Sequence, residues 1–177
     1  VTYRTEVMYI SGNSFATPSW HLNAPVSNAV RDVAFLLMPG FTLLGFTNAI
    51  ETLREANKLL GRQAYRWTTV SEDGTAVTTS SGVQVPIQAS ICAASAFDAV
   101  FVCADWDLER ATTTAICRWL RKLDHGGAAM GAISGATYVL ARADVIRGRR
   151  CTAHWEFAPS ITDRFPDVHP TRRVFEV

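Results

Sequence analysis

Residues 127–141 read GAAMGAISGATYVLA, and this stretch decides the fold. It predicts a buried strand over 128–133 that turns sharply at Ser134 into a helix. Where a strand enters a helix with no intervening loop, the backbone of the pivot residue is strained and its neighbours must be small. Small residues surround this pivot: Ala132, Gly135 and Ala136. We therefore expect the Ser134 side chain to stand clear of the sheet, above a helix amino end whose free N–H groups attract anions.

The sequence allows two roles for Ser134. Serine commonly caps helices, and the local residues alone favour that role. The same turn also suits a nucleophile, for which His154 is the best-placed base and the Gly135 N–H, with the backbone after Cys103, a candidate oxyanion hole. However, the flanks differ from the G-x-S-x-G of α/β-hydrolases, and only residues 135–177 follow, which leaves little room for an acid-then-histidine tail. The sequence therefore favours a non-catalytic Ser134.

The composition indicates one globular domain. The chain has 177 residues, of which 48% are hydrophobic and 19% charged, which suits a single core. No apolar run is long enough to cross a bilayer. The formal net charge of +1 offers no strongly basic face, so we do not expect this chain alone to bind nucleic acid.

The cysteines and the amino terminus give further expectations. Four cysteines are scattered without a C-x-x-C pair, which argues against a metal site or a disulfide framework and favours a reducing, cytoplasmic setting. No cofactor is predicted. Residues 1–29 lack the pattern of a secretory signal and read as a polar arm with a short strand at 7–10. Residues 30–177 form the predicted domain.

The rest of the chain alternates strand and helix. Apolar runs predict strands at 33–38, 65–70 and 99–103, and a helical repeat covers Leu43–Leu60, ended by Gly61. A hairpin is expected over 75–85, a helix over 108–123, a short strand end at 152–154, a helix from 155 or 156 to 165, and a final strand at 173–177. This order predicts an α/β fold: a doubly wound, mostly parallel sheet with helices on both faces.

Ligands in such sheets bind outside the carboxyl ends of the strands. The segments that we expect at this edge contain the candidate ligand-binding residues: Gly40, Phe41, Ala104, Asp105, Ser134, Gly135, His154 and Trp155. Trp106, Trp155 and Phe41 would line the site with rings, which attract a small cation, although most tryptophans only pack. Asp105, Asp107 and Glu156 could pair with an ammonium group.

Five stretches resemble one known family. They are VAFLLMPGFTLLGFTNAIETLREAN (33–57), YRWTTVSEDG (65–74), AVFVCADWD (99–107), GAISGATYVLARADVIRGRRCTAHWE (131–156) and RFPDVHPTRRVFEV (164–177). In order and spacing they resemble the amino-terminal domain of AraC-type transcriptional regulators built on the DJ-1/PfpI fold, which is flavodoxin-like and similar to class I glutamine amidotransferases. The resemblance implies a homodimer that binds a small metabolite, such as glycine betaine, carnitine or arginine. It also implies contact with DNA only through a carboxy-terminal helix-turn-helix domain that is absent here, and no membrane partner.

Two positions depart from the enzymatic members of that family. Ser134 stands where they have a cysteine, and Gly45 stands where they have the acid that tunes it. Serine lacks the low pKa that lets a thiolate attack unaided. We therefore expect a sensor domain, in which Ser134 and Gly135 donate hydrogen bonds to a ligand carboxylate. The alternatives are an amidase or hydratase that uses Ser134 and, least favoured, a redox or chaperone-like DJ-1 relative.

Overall fold

A computed structural model describes residues 7–10, 29–94, 96–154, 156–171 and 173–176. The strands are β1 (Val7–Ile10), β2 (Arg31–Leu37), β3 (Tyr65–Ser71), β4 (Val77–Thr78), β5 (Gln84–Val85), β6 (Ala89–Ser90), β7 (Ala99–Ala104), β8 (Ala129–Ser134), β9 (Arg150–Thr152) and β10 (His169–Thr171). The helices are α1 (Leu43–Leu60), α2 (Leu108–Ala111), α3 (Thr114–His125), α4 (Thr137–Arg142) and α5 (Ala158–Arg164). None of the helices in these ranges combines the length and apolar character needed to span a membrane.

Six strands form the central sheet in the order β1-β8-β7-β2-β3-β6. Neighbouring strands are parallel except β1, which runs antiparallel to β8. The strand predicted at 7–10 is therefore confirmed, and it belongs to the main sheet. The rest of the predicted arm, residues 1–6 and 11–28, lies outside the described residues, so the division into arm and domain stays a prediction.

Both faces of the sheet are covered, as the alternation of strands and helices predicts. Phe35 and Leu37 of β2 point to one face, where they pack with Phe46 of α1. Leu36 points to the other face and belongs to the core that contains Leu120 of α3, Leu140 of α4 and Ile161 of α5. Since side chains of a strand alternate between faces, a continuous apolar run serves both cores at once. The predicted doubly wound architecture is confirmed.

The helix predicted over 108–123 is wrong as a single element. It is two helices, α2 and α3, separated at Thr112 and Thr113. Thr112 has an extended backbone (φ −84°, ψ 90°), and the Thr113 hydroxyl accepts a hydrogen bond from the Ile116 N–H at 3.2 Å. Threonine competes with the helix through its hydroxyl and favours the N-cap position, so the second helix starts afresh at Thr114.

The end of the chain also differs from expectation. The short strand predicted near 152 is β9, which ends at Thr152, and the final strand is β10 at His169–Thr171 rather than 173–177. These two strands pair in parallel with each other, outside the main sheet. Residues 173–176 form no strand, and Glu176 is buried there with its carboxylate 2.6 Å from the Arg150 guanidinium.

Asn57 joins the end of α1 to the start of β3. Its Oδ1 accepts hydrogen bonds from the Ala64 and Tyr65 N–H groups, and its Nδ2 donates to the Tyr65 carbonyl, all at 2.8 Å. Gly61 ends the helix in the left-handed conformation, φ 62°. The turn that starts the second strand is therefore closed by one amide side chain.

Asn57→Ala should lower the free energy of unfolding by about 2–4 kcal/mol, since three part-buried backbone groups lose their partner. Urea denaturation followed by circular dichroism measures the change. The matched control is Asn48→Ala, an exposed position on the same helix, which we expect to change stability by less than about 0.5 kcal/mol. Equal losses in the two variants would contradict this role of Asn57.

Candidate functional site

Ser134 is the pivot of a strained strand-to-helix turn. It is the last residue of β8, and its φ of 60° lies in the left-handed region that non-glycine residues rarely adopt. The following Gly135 has little room beside it. A Cβ atom at this position would lie 3.0 Å from Leu108 Cδ1 and 3.2 Å from Phe157 Cε2. The expected elbow is therefore present, and side chains of two other segments close over it.

The Asp105 carboxylate lies between two hydroxyl groups. Ser134 Oγ donates to Oδ1 at 2.8 Å, and Thr42 Oγ1 donates to Oδ2 at 2.8 Å. The sheet brings these groups together because Ala104, the last residue of β7, is in register with Ser134 of β8, so Asp105, the first residue after β7, reaches the pivot. Thr42 occupies the N-cap position of α1 but makes no side-chain cap. Asp105 thus ties together the ends of two strands and the start of a helix.

The contact with Asp105 matches neither of the two interpretations of Ser134 given above. The N-cap of α4 is Ala136, so Ser134 is not the cap of that helix. A hydroxyl has one hydrogen, and that of Ser134 is donated to Asp105 rather than to His154. His154 Nδ1 lies 3.6 Å from the Glu156 carboxylate. The proposed Ser134–His154 pair is therefore absent from this geometry, and the acidic neighbour of the pivot is Asp105.

Several other residues that the sequence named as candidates are buried in the protein. The Phe41 ring is fully buried, with its centroid 5.8 Å from that of Phe46, so it packs in the core. Cys103 is buried too, and loss of water raises the pKa of its thiol. Ala104 is likewise buried. Trp155 lies outside the described residues, so its predicted role stays a prediction.

A cavity of about 920 Å³ lies beside the pivot, at the carboxyl ends of β2, β3 and β7. Its walls are Leu36–Gly40, Ser71–Asp73, Thr75–Thr78, Trp106, Asp107, Arg110, Ala111, Thr113 and Ile116. Three residues that the sequence singled out are among them: Gly40, Trp106 and Asp107. The cavity lies at the edge of the sheet where a ligand site was predicted. The loop after β3 and the hairpin of β4 and β5, which form much of its wall, were not predicted as part of a site. The acidic residues Glu72 and Asp73, which directly follow the end of β3, were the sequence signal that could have indicated this part of the wall.

Gly40 and Trp106 mark the boundary between the cavity and the pivot. Gly40 has φ 75°, and its N–H donates to the Thr78 carbonyl at 2.9 Å. A Cβ atom there would approach Trp106 Cβ to 3.1 Å. Trp106 follows Asp105 directly, and its residue surface is 76% exposed. A large, exposed aromatic side chain thus stands at the rim of an open cavity.

Comparison with known proteins identifies the family. Residues 31–168 match the model of the DJ-1/PfpI family. The chain belongs to the DJ-1/PfpI family. It is 39% identical over 147 residues to the HTH-type transcriptional regulator CdhR of Pseudomonas aeruginosa, an alignment that covers 83% of this chain and 44% of CdhR. The HTH-type transcriptional regulator GbdR of the same species is 35% identical over 153 residues, which cover 86% of this chain and 42% of GbdR.

A solved structure extends the likeness to three dimensions. It is an AraC family transcriptional regulator from Pseudomonas putida, with a TM-score of 0.74 and 27% identity, covering 83% of this chain and 79% of that one. The matched DJ-1/PfpI domains therefore occur in regulators, as the sequence resemblance implied. The present chain spans less than half the length of the curated regulators named above.

A double-mutant cycle between Ser134→Ala and Asp105→Ala should give a coupling free energy of about 1.5–3 kcal/mol in chemical denaturation, because a hydroxyl donates to a part-buried charge. As a control, Ser134→Ala combined with Asp144→Ala, at an exposed turn, should show additive effects. A coupling near zero for the first pair would show that the contact with Asp105 does not stabilise the pivot.

Proposed function

We propose that this chain is the effector-sensing domain of an AraC-type transcriptional regulator and that it has no catalytic activity of its own. The observation that carries the proposal is the hydrogen bond from the Ser134 hydroxyl to Asp105 at the pivot of the turn. The likeness to the two HTH-type regulators supports the regulatory role.

The geometry around Ser134 argues against hydrolysis. In serine hydrolases an imidazole takes the proton of the serine, and the carboxylate only orients that imidazole. Here the carboxylate contacts the serine directly, and a second hydroxyl, that of Thr42, holds its other oxygen. The pivot also supplies no thiolate nucleophile, because its residue is serine. The arrangement therefore suits a fixed structural contact better than a nucleophile that must exchange protons.

We further propose that the effector is a small cationic, amino-acid-like or quaternary ammonium metabolite bound at the carboxyl edge of the sheet. Asp107 and the exposed Trp106 at that edge support a cationic group, because carboxylates and ring faces both attract positive charge. DNA contact would come from a separate helix-turn-helix domain. Self-association as a homodimer is part of the same proposal.

Ligand binding should raise the melting temperature of the domain without consuming the ligand. A panel of amino acids and trimethylammonium compounds is screened by thermal denaturation, with chromatography of the recovered ligand and assays for released ammonia or acid. At a ligand concentration about 100-fold above Kd, the stabilisation should reach about 2.7 kcal/mol. Product formation that disappears in Ser134→Ala would instead establish the amidase or hydratase alternative.

Light scattering over a range of concentrations should give the mass of a dimer, with the monomer appearing only on dilution. A monomer at every concentration would remove the dimer from the proposal while leaving ligand sensing intact.

A further inference from the structure

The segment 173–176 places its side chains in an unusual way. Val174 and Phe175 are exposed, by 43% and 62%, whereas Glu176 is only 6% exposed. Among the described residues, Glu176 is the one charged residue that is buried. Burial of apolar side chains stabilises a protein, whereas burial of a carboxylate costs free energy unless the charge is paired. Apolar burial therefore does not explain why this segment lies where it does.

The Glu176 carboxylate is held by two arginines. Its Oε2 lies 2.6 Å from Nη2 of Arg150, in β9, and its Oε1 lies 3.6 Å from Nε of Arg173. Hydrogen bonds from Arg150 and, to a smaller extent, Thr171 lower the pKa of this carboxyl, so it is ionised at neutral pH. Oε1 is buried and accepts no hydrogen bond within the described part of the chain. Arg150 therefore supplies the short ion pair that offsets the burial of this charge.

The segment bends to make this contact. β10 ends at Thr171, which is in register with the last residue of β9, whereas Arg150 is the first residue of β9. The backbone bends at residues 173–174 and so brings Glu176 to Arg150. A bend that is held by an ion pair, with its apolar side chains in water, is a local unit of low stability, because few apolar contacts oppose its release.

The strand β9 is also connected to the strained turn. Thr137, the first residue of α4, closely follows the pivot Ser134 in the chain, and its Oγ1 donates to the Thr152 carbonyl of β9 at 2.9 Å. Both threonines are buried, so a loss of this hydrogen bond would leave a polar group without water to replace it. A displacement of the pivot therefore has a continuous path, through α4, to the strand that carries Arg150.

We propose that the Arg150–Glu176 ion pair is a latch that docks residues 173–176 on β9, and that its state depends on the position of the strained turn. With the latch closed the segment has one fixed direction, and with the latch open its direction is free. The proposal rests on the sensing function above, in which a helix-turn-helix domain follows this one. Residues 173–176 then connect the two domains, and ligand binding at the edge of the sheet changes the freedom of that connection.

The latch is tested on the present chain by nuclear magnetic resonance. In the wild type the backbone order parameters of residues 174–176 should be near those of rigid structure, about 0.85, and in Glu176→Gln they should fall below about 0.6. Arg150→Gln should give the same loss from the other partner, whereas Arg150→Lys, which keeps the charge, should retain most of the order. Wild-type values already below about 0.6, or unchanged values in both glutamine variants, would overturn the latch.

Glu51→Gln is the matched control. Glu51 also pairs with an arginine at 2.6 Å, that of Arg54, but both residues lie on the exposed side of α1. This variant should leave the order parameters of residues 174–176 unchanged. A loss of order in the control equal to that in Glu176→Gln would show that the effect is not specific to the latch and would overturn it. The amide resonances of the central sheet show that each variant is folded.

The coupling to the strained turn is tested by Thr137→Val, which removes the hydrogen bond to β9 and keeps the shape of the side chain. The amide chemical shifts of residues 174–176 should move from their wild-type values toward those of Glu176→Gln. The ratio of released to docked segment should rise by up to about fivefold, the effect of one hydrogen bond. Thr52→Val, which removes an exposed hydroxyl contact on α1, should leave these shifts unchanged. Unchanged shifts in Thr137→Val would overturn the coupling.

These measurements are independent of the test of ligand sensing, because they need no ligand. An ordered segment that is released in Glu176→Gln supports the latch even if no metabolite of the panel binds, and that second result counts against sensing alone. Conversely, a segment that is mobile in the wild type overturns the latch and leaves sensing to the metabolite panel.

Discussion

The contact of one carboxylate with two hydroxyls organises the carboxyl edge of the sheet in this domain. Asp105 accepts from Ser134 and Thr42, so the end of β8, the loop after β7 and the start of α1 are held at fixed positions. Each of these segments leads elsewhere: β8 continues into α4, and the loop after β7 leads through Trp106 to the cavity rim. A change at the rim therefore has a direct covalent and hydrogen-bonded route to the strained turn. The rim and the strained turn thus depend on the same short segment of chain.

The hydrogen bond to Asp105 also offsets the backbone strain at Ser134. A left-handed backbone at a residue with a Cβ atom costs about 1–2 kcal/mol, and hydrogen bonds to a charged group return an amount of similar size. In the enzymatic members of the DJ-1/PfpI family the sequence resemblance puts a cysteine at this pivot. In this chain the turn keeps its shape with a side chain that donates to a neighbouring carboxylate. The backbone geometry can thus persist where the reactive group is different.

Sequence reasoning was most successful where a pattern is long and local. The helix Leu43–Leu60 and its end at Gly61 follow from apolar spacing and a glycine stop, and the parallel sheet follows from the alternation of elements. It failed at Thr112 and Thr113, where side-chain hydrogen bonds interrupt an otherwise helical pattern. It also failed at 173–177, because the final strand is the earlier segment His169–Thr171, whose partner is β9. The wall of the cavity was not predicted because it is formed by the loops after β2, β3 and β7 and by the hairpin, and no periodic pattern in the sequence links these segments.

The arrangement of the sheet margins has a consequence for assembly. In the described part of the sheet, one margin is β1, with four residues, and the other is β6, with two residues, Ala89–Ser90. Long exposed margins are what allow sheets of separate molecules to merge, and a two-residue strand is a poor template for that process. If copies of this domain pair through their sheets, the ladder that joins them would have to form on these short strands. Contacts between copies through helices and loops could instead shift when a ligand binds without breaking any ladder of backbone hydrogen bonds.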